Sequence, residues 1–155
     1  MAELDIVIRN GEIVTDTGPT GQADIGIAGG IVVQIGGELE GHQELDATGN
    51  LILPGGLDAH VHLSYPQQEK GQPTWVDDFT SGSAAALAGG ITTLGNMTFL
   101  TPGERPLSGL ERESAVARHQ TIADLFLHPV LGEITQPVLD EIPRLLGAGC
   151  NSIKL

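Results

Sequence analysis

The sequence predicts an α/β fold in which a small β domain precedes a run of alternating strands and helices. Residues 1–53 contain short apolar segments separated by glycine-rich turns, which is typical of strands. Over residues 54–155 the predicted strands begin about every 30 residues, which is the length of a βαβ repeat. This alternation predicts a parallel sheet covered by helices. The spacing alone is compatible with half of an eight-stranded barrel or with a complete open sheet.

The β domain is predicted from its turns. Asn10-Gly11 follows an apolar run and is a strong hairpin signal, and Gly29-Gly30 indicates a second hairpin. The turn residues Pro54-Gly55-Gly56 end the last strand. The predicted strands of this domain cover residues 5–9, 12–14, 24–27, 31–35 and 51–53.

The second region is predicted from helix boundaries and strand runs. Its first helix ends at Gly89-Gly90, the usual position of a C-cap, and Ser108 is the candidate N-cap of its second helix. The chain ends inside the fourth predicted strand, and an uncovered strand is unfavourable in a finished domain. We therefore expect an N-terminal fragment of a longer protein. The predicted strands cover residues 57–61, 91–94, 124–131 and 151–155, and the predicted helices cover residues 78–88, 110–122 and 138–146.

Composition excludes several kinds of partner. Seven basic and 20 acidic residues give a formal net charge of −13, which repels nucleic acid and anionic membranes. No apolar stretch approaches the roughly 20 residues that span a bilayer, and the N-terminus does not resemble a signal peptide. Cys150 is the only cysteine, so an intramolecular disulfide is excluded. We predict a cytoplasmic protein that binds neither nucleic acid nor membrane.

Two closely spaced histidines are the strongest chemical feature of the sequence. Asp58, His60 and His62 alternate with apolar residues, so their side chains share one face of the first parallel strand. In β/α barrels the active site lies at the carboxyl ends of the strands. Two imidazoles at neighbouring positions of one face can reach the same divalent ion. The spacing therefore predicts that His60 and His62 are metal ligands, whereas a solvated edge strand is the alternative.

Two segments resemble the amidohydrolase superfamily, and more narrowly its cyclic-amide hydrolases. Residues 53–62, which read Leu-Pro-Gly-Gly-Leu-Asp-Ala-His-Val-His, are similar to the signature of the first barrel strand. Residues 77–93 are similar to the first helix and second strand of hydantoinases and allantoinases. The resemblance implies the first half of a (β/α)8 TIM-type barrel, preceded by a small β-sandwich domain. It also implies a hydrolase that opens a cyclic amide ring of the hydantoin or dihydropyrimidine type.

The resemblance implies further residues of the site. Lys154, in Gly-Cys-Asn-Ser-Ile-Lys, is similar to the carboxylated lysine that bridges two divalent metal ions, for which zinc is expected. A hydroxide held between the metals then attacks the ring carbonyl. The remaining ligands and the proton-transferring aspartate lie on later strands, so no catalytic residue is assigned within this chain. The isolated chain is expected to be inactive and prone to associate, and the parent protein is expected to form a dimer or tetramer.

Departures from the family pattern leave the substrate open. Ser64 stands where dihydroorotases usually carry a carboxylate-binding arginine, which counts against that activity. Trp75 is more typical of allantoinases, and Asn96 replaces an aspartate of many relatives. Allantoinase activity, a dihydroorotase-like activity and a catalytically silent structural relative therefore remain alternatives. Asp58, Ser64, Asn96 and His128 are candidates for contact with the substrate or with the metal ligands.

Overall fold

The computed structural model describes residues 3–65 and 75–155. The chain divides into two compact units, Met1–Pro54 and Gly55–Leu155. Within the described ranges, no helix is both long and apolar enough to cross a bilayer. The elements in chain order are β1 (Leu4–Thr15), β2 (Gly18–Ala28), β3 (Ile31–Ile35), β4 (Gly41–Asp46), β5 (Leu51–Ile52), β6 (Gly56–Val61), α1 (Phe79–Ala88), β7 (Ile91–Phe99), α2 (Pro106–Gln120), β8 (Asp124–Val130) and α3 (Gln136–Gly147).

The first unit is a mixed sheet of five strands. Their order is β3-β2-β1-β4, and β5 also pairs with β1. β1 runs antiparallel to β2 and parallel to β4 and β5. Leu4, Val7 and Leu39 form the buried core of this unit. The sequence did not predict β4, because its five residues after Gly41 are mostly polar and exposed.

The hairpin predicted at Asn10-Gly11 is wrong. β1 continues through both residues, and the chain reverses at Asp16-Thr17 instead. Asn10 has a φ of 62°, but Gly11 is not among the residues with positive φ, as a type I′ hairpin turn would require. The pairing of β1 with β2 changes register between Ile8 and Gly11. The dipeptide therefore forms a bulge inside one continuous strand.

The hairpin predicted at Gly29-Gly30 is confirmed. These two residues connect β2 to β3, which pair antiparallel from Ala28 and Ile31 outward. Their φ angles are 58° and 77°, a conformation that glycine adopts without steric cost. Positive φ at both central positions matches the right-handed twist of the flanking strands.

The second unit confirms the predicted alternation of parallel strands and helices. β6, β7 and β8 form a parallel sheet in chain order, with α1 and α2 in the connections between them. Lys154 forms a parallel bridge with Val130, because its N–H donates to Pro129 O and its carbonyl accepts from Leu131 N–H. This bridge places the segment after α3 next to β8, so the segment lies fourth in the sheet after β6, β7 and β8. Leu63, Phe79, Leu94 and Ala117 form one buried cluster between the helices and the sheet, and Leu110, Leu145 and Cys150 form another.

The boundaries of α1 follow local sequence signals. The Asp78 carboxylate accepts from Ser81 N–H at 2.8 Å, and the Ser81 hydroxyl accepts from Asp78 N–H at 3.0 Å. This reciprocal pair satisfies two backbone donors that a helix start leaves free. Gly89 is the C-cap, and Gly90 has a φ of 81°. The predicted C-terminal glycine signal is therefore confirmed.

The N-cap predicted at Ser108 is wrong, because α2 begins two residues earlier at Pro106. The N-cap residue Arg105 makes no side-chain capping bond. Glu141 of α3 supplies the acceptor instead, since its carboxylate accepts from Leu107 N–H at 3.0 Å. A buried carboxylate at a helix N-terminus also interacts favourably with the helix dipole. This cap comes from a residue 34 positions away in the chain, so local sequence signals cannot reveal it.

Candidate metal centre at the carboxyl ends of the parallel strands

Two histidine rings face each other at the carboxyl end of β6. His60 is the next-to-last residue of the strand, and His62 follows its end. Their Nε2 atoms are 3.2 Å apart, and the rings stack with centroids 5.2 Å apart and planes 28° from parallel. The structure thus brings together the two histidines that the alternation placed on one face.

Lys154 reaches the same place from the fourth position of the sheet. Its Nζ lies 2.9 Å from His60 Nε2, although the two residues are 94 positions apart in the chain. The backbone bridge from Lys154 to Val130, the last residue of β8, places the lysine at the carboxyl edge of the sheet. Three nitrogen atoms from the first and fourth positions of the sheet therefore converge on one point.

Aromatic side chains surround the outer side of the His62 ring. Phe99, at the carboxyl end of β7, meets the ring edge-on at a centroid distance of 5.1 Å, and Trp75 does so at 5.0 Å. Burial, together with the charges of His60 and Lys154, lowers the pKa of His62. A neutral imidazole keeps a nitrogen lone pair free for a metal ion.

The polar neighbours of the histidines contact the backbone around them. Asp58 Oδ1 accepts from His60 N–H at 3.0 Å, so this exposed carboxylate braces its own strand. Asn96 is fully buried, and its Oδ1 accepts from Leu63 N–H at 2.8 Å. Asn96 Nδ2 donates to Ser64 Oγ at 3.2 Å. Asp58, Ser64 and Asn96 therefore all contribute to the geometry of the segment that carries the two rings.

His128 occupies the corresponding level of β8. Its Nδ1 is hydrogen bonded to the hydroxyl of Ser152, and its buried Nε2 lies beside the backbone of Ala59. Burial is the main cause that lowers the pKa of His128, and the Ala59 backbone partly opposes this shift. The sequence interpretation missed Ser152. Its signal was the two-residue spacing from Lys154, which places both side chains on one face of an extended segment.

The donor set fits a divalent metal ion, but it is partial. Two nitrogens bound to one tetrahedral zinc ion at about 2.0–2.1 Å lie about 3.3 Å apart, close to the 3.2 Å between His60 Nε2 and His62 Nε2. Over residues 3–65 and 75–155, no three side chains of His, Cys, Asp or Glu gather into a metal-binding group. The histidine pair and the lysine amine could therefore supply one side of a coordination site.

The parallel sheet with this cluster at its carboxyl edge is the arrangement expected for the first part of a β/α barrel. Comparisons with known proteins show which proteins the chain resembles. The chain is 36% identical, over 98% of its length, to D-phenylhydantoinase of Escherichia coli (strain SE11). It spans 33% of the length of that protein. No protein-family model matches the chain.

Solved structures give the same result. The chain superposes on a crystal structure of D-hydantoinase with a TM-score of 0.85 and 36% identity, over 96% of the chain and 32% of that protein. The dihydropyrimidinase of Brevibacillus agri NCHU1002 gives a TM-score of 0.86 and 34% identity over the same shares. These matches confirm the resemblance to the hydantoinase–dihydropyrimidinase branch of the amidohydrolase superfamily, and the predicted fold class. The chain spans about a third of the length of these relatives.

Proposed function

We propose that this chain is part of a metal-dependent hydrolase that opens cyclic amide rings of the hydantoin or dihydropyrimidine type. The observation that carries the proposal is the convergence of His60, His62 and Lys154 at the carboxyl edge of a parallel sheet. Enzymes built on β/α barrels place their active sites at this edge. The similarity to D-phenylhydantoinase, D-hydantoinase and dihydropyrimidinase supports the reaction class.

Two divalent ions, with zinc expected, would bind at this edge. His60 and His62 would hold one ion through Nε2, and Lys154, as a carbamate, would join it to the second. Such ions lower the pKa of a bound water toward about 7, which makes hydroxide available at neutral pH for attack on a ring carbonyl. The remaining ligands would come from the part of the relatives' length that this chain does not span.

The chain's own residues prepare the lysine and shape the site. Carbamate formation joins Lys154 Nζ to the carbon of carbon dioxide and releases a proton, so the amine must first be neutral. Lys154 Nζ lies 2.9 Å from His60 Nε2, so a carbamate formed on it would lie beside the ion that the histidine pair would hold. Phe99 and Trp75 cover one side of His62 and restrict the access of water to that ring.

The loop after β6 favours an uncharged substrate. The Ser64 hydroxyl accepts a hydrogen bond from Asn96 and carries no charge. It therefore cannot form an ion pair with a carboxylate as an arginine would. This supports a neutral cyclic amide over dihydroorotate. We also infer that the substrate is a small molecule and that the whole protein is a cytoplasmic homo-oligomer.

Zinc titration of the metal-free chain tests the site. We expect at least one equivalent of zinc to bind to the unsubstituted chain. His60→Ala should abolish this binding because it removes one of two paired ligands. His119→Ala, on the exposed side of α2, is the matched control and should bind as the parent does. Unchanged zinc binding in His60→Ala would refute the ligand assignment.

Ring opening tests the activity. Hydantoin, dihydrouracil, allantoin and dihydroorotate are supplied to a polypeptide that also carries the rest of the relatives' length. We expect hydrolysis of the first two, and its loss in Lys154→Ala. Preference for allantoin or dihydroorotate would favour the alternative enzymes, and zinc binding without hydrolysis would indicate a catalytically silent relative.

A further inference from the structure

Asn96 lies beside the point where β6 ends. It pairs with Val61, the last residue of β6, and its side chain points to the helix-covered side of the sheet. The residue has no exposed surface. Beyond Val61 the chain leaves the ladder, so the next buried N–H group needs a different acceptor.

The Asn96 amide replaces that missing ladder partner. Its Oδ1 accepts from Leu63 N–H at 2.8 Å, while its Nδ2 donates to Ser64 Oγ at 3.2 Å and to Met97 O at 3.3 Å. Leu63 is itself buried, and its side chain packs in the core with Phe79. The hydrogen bonds to Leu63 and Ser64, together with this packing, hold the loop on both sides of the Leu63 peptide group, and the bond to Met97 O orients the amide within β7.

The hydrogen bond to Leu63 N–H also restrains His62, because the two residues share a peptide bond. The nitrogen of Leu63 is bonded to the carbonyl carbon of His62, so a fixed Leu63 N–H fixes the plane of the intervening peptide. The direction of the His62 Cα–Cβ bond then has little freedom. We propose that Asn96 is the positioning residue for His62: its buried amide, bonded to Leu63 N–H and Ser64 Oγ, keeps the His62 ring opposite His60.

The consequence for metal binding rests on the proposed function. Residues that orient a metal ligand typically change metal affinity 10- to 100-fold when they are replaced. Asn96→Ala should therefore weaken zinc binding by roughly that factor, and Leu63 N–H should exchange with solvent at least about tenfold faster. Thr98→Val is the matched control, because Thr98 is equally buried on the same strand and its hydroxyl has no partner within the described residues. This variant should leave zinc affinity and Leu63 exchange unchanged.

The two readouts separate a positioning role from a purely structural one. If Asn96 only stabilised the fold, folded Asn96→Ala would bind zinc as the parent does, and that result would overturn the proposal. Unchanged Leu63 exchange in the variant would also overturn it. If the parent itself binds no zinc, the metal assignment fails, and Leu63 exchange alone decides the role of Asn96.

A direct measurement covers the case in which Asn96→Ala does not fold. In the labelled parent chain, the hydrogen bond predicts a scalar coupling across it between the Leu63 amide nitrogen and Asn96 Cγ. Detection of this coupling supports the proposal. Its absence, with backbone couplings between β7 and β8 visible in the same spectrum, overturns it.

Discussion

Gly95 is the glycine at which an added methyl group would approach the backbone of another strand most closely among the described residues. It lies in the middle of β7, between Ala59 of β6 and His128 of β8. A Cβ atom at this position would lie 2.6 Å from the carbonyl oxygen of Ala59 and 2.8 Å from His128 Nε2. Ordinary van der Waals contact begins at 3.4 Å, and the Ala59 oxygen belongs to the backbone of β6, so it cannot rotate away. Gly95→Ala must therefore push β6 and β7 apart.

We expect Gly95→Ala to lower the free energy of unfolding by about 3 kcal/mol, the upper end of the range for overpacking, because a strand must move instead of a side chain. Gly147→Ala is the matched control. No atom lies within 4 Å of a Cβ at that helical position, and alanine there should be neutral or stabilising by about 0.5 kcal/mol. Urea denaturation followed by the fluorescence of the single tryptophan, Trp75, measures both variants. Unfolding of Gly95→Ala at the parent's urea midpoint would refute the close approach of the two strands.

Two further predictions concern a helix cap and the pH dependence of stability. Asp78→Ala removes the capping box of α1 and should lower the free energy of unfolding by about 1 kcal/mol in the same urea assay. The control, Asp140→Ala at an exposed position of α3, should lower it by less. An equal loss of stability in the two variants would contradict the capping role. Burial lowers the pKa of His62 and of His128 below the 6.5 of an unfolded histidine, so the unfolded chain binds more protons in that window. The histidine contribution to the unfolding free energy of the metal-free chain should therefore fall as the pH falls from about 7 to about 5, whereas Glu113, whose pKa burial raises, contributes in the opposite direction. The difference in pH profile between the unsubstituted chain and a His62→Gln, His128→Gln variant isolates the histidine contribution, and identical profiles would contradict both environments.

Much of the fold was predictable because its signals are local. Gly29-Gly30 and Gly89-Gly90 provide backbone conformations that glycine adopts easily, and both turns are confirmed. Asn10-Gly11 carried an equally strong local signal, but it became a bulge. The difference lies in pairing, because β1 continues past Gly11 alongside β5, and that long-range ladder outweighs the preference of the dipeptide for a turn. The N-terminus of α2 departed from prediction for the same reason, since its acceptor, Glu141, belongs to another helix.

The residues of the candidate site also fall into those with a local sequence signal and those without one. The two-residue period of a strand was sufficient to place His60 and His62 on one face, and the family resemblance pointed to Lys154. The residues that orient these groups follow no such period. Asn96 lies on the opposite face of its strand from the candidate metal site and contacts the backbone of a neighbouring loop. Ser152 contacts His128 from the segment that neighbours β8. A strand pattern reveals which side chains can reach a metal ion. The contacts that hold a ring at 3.2 Å from its partner depend on which strands become neighbours, so only the folded chain reveals them.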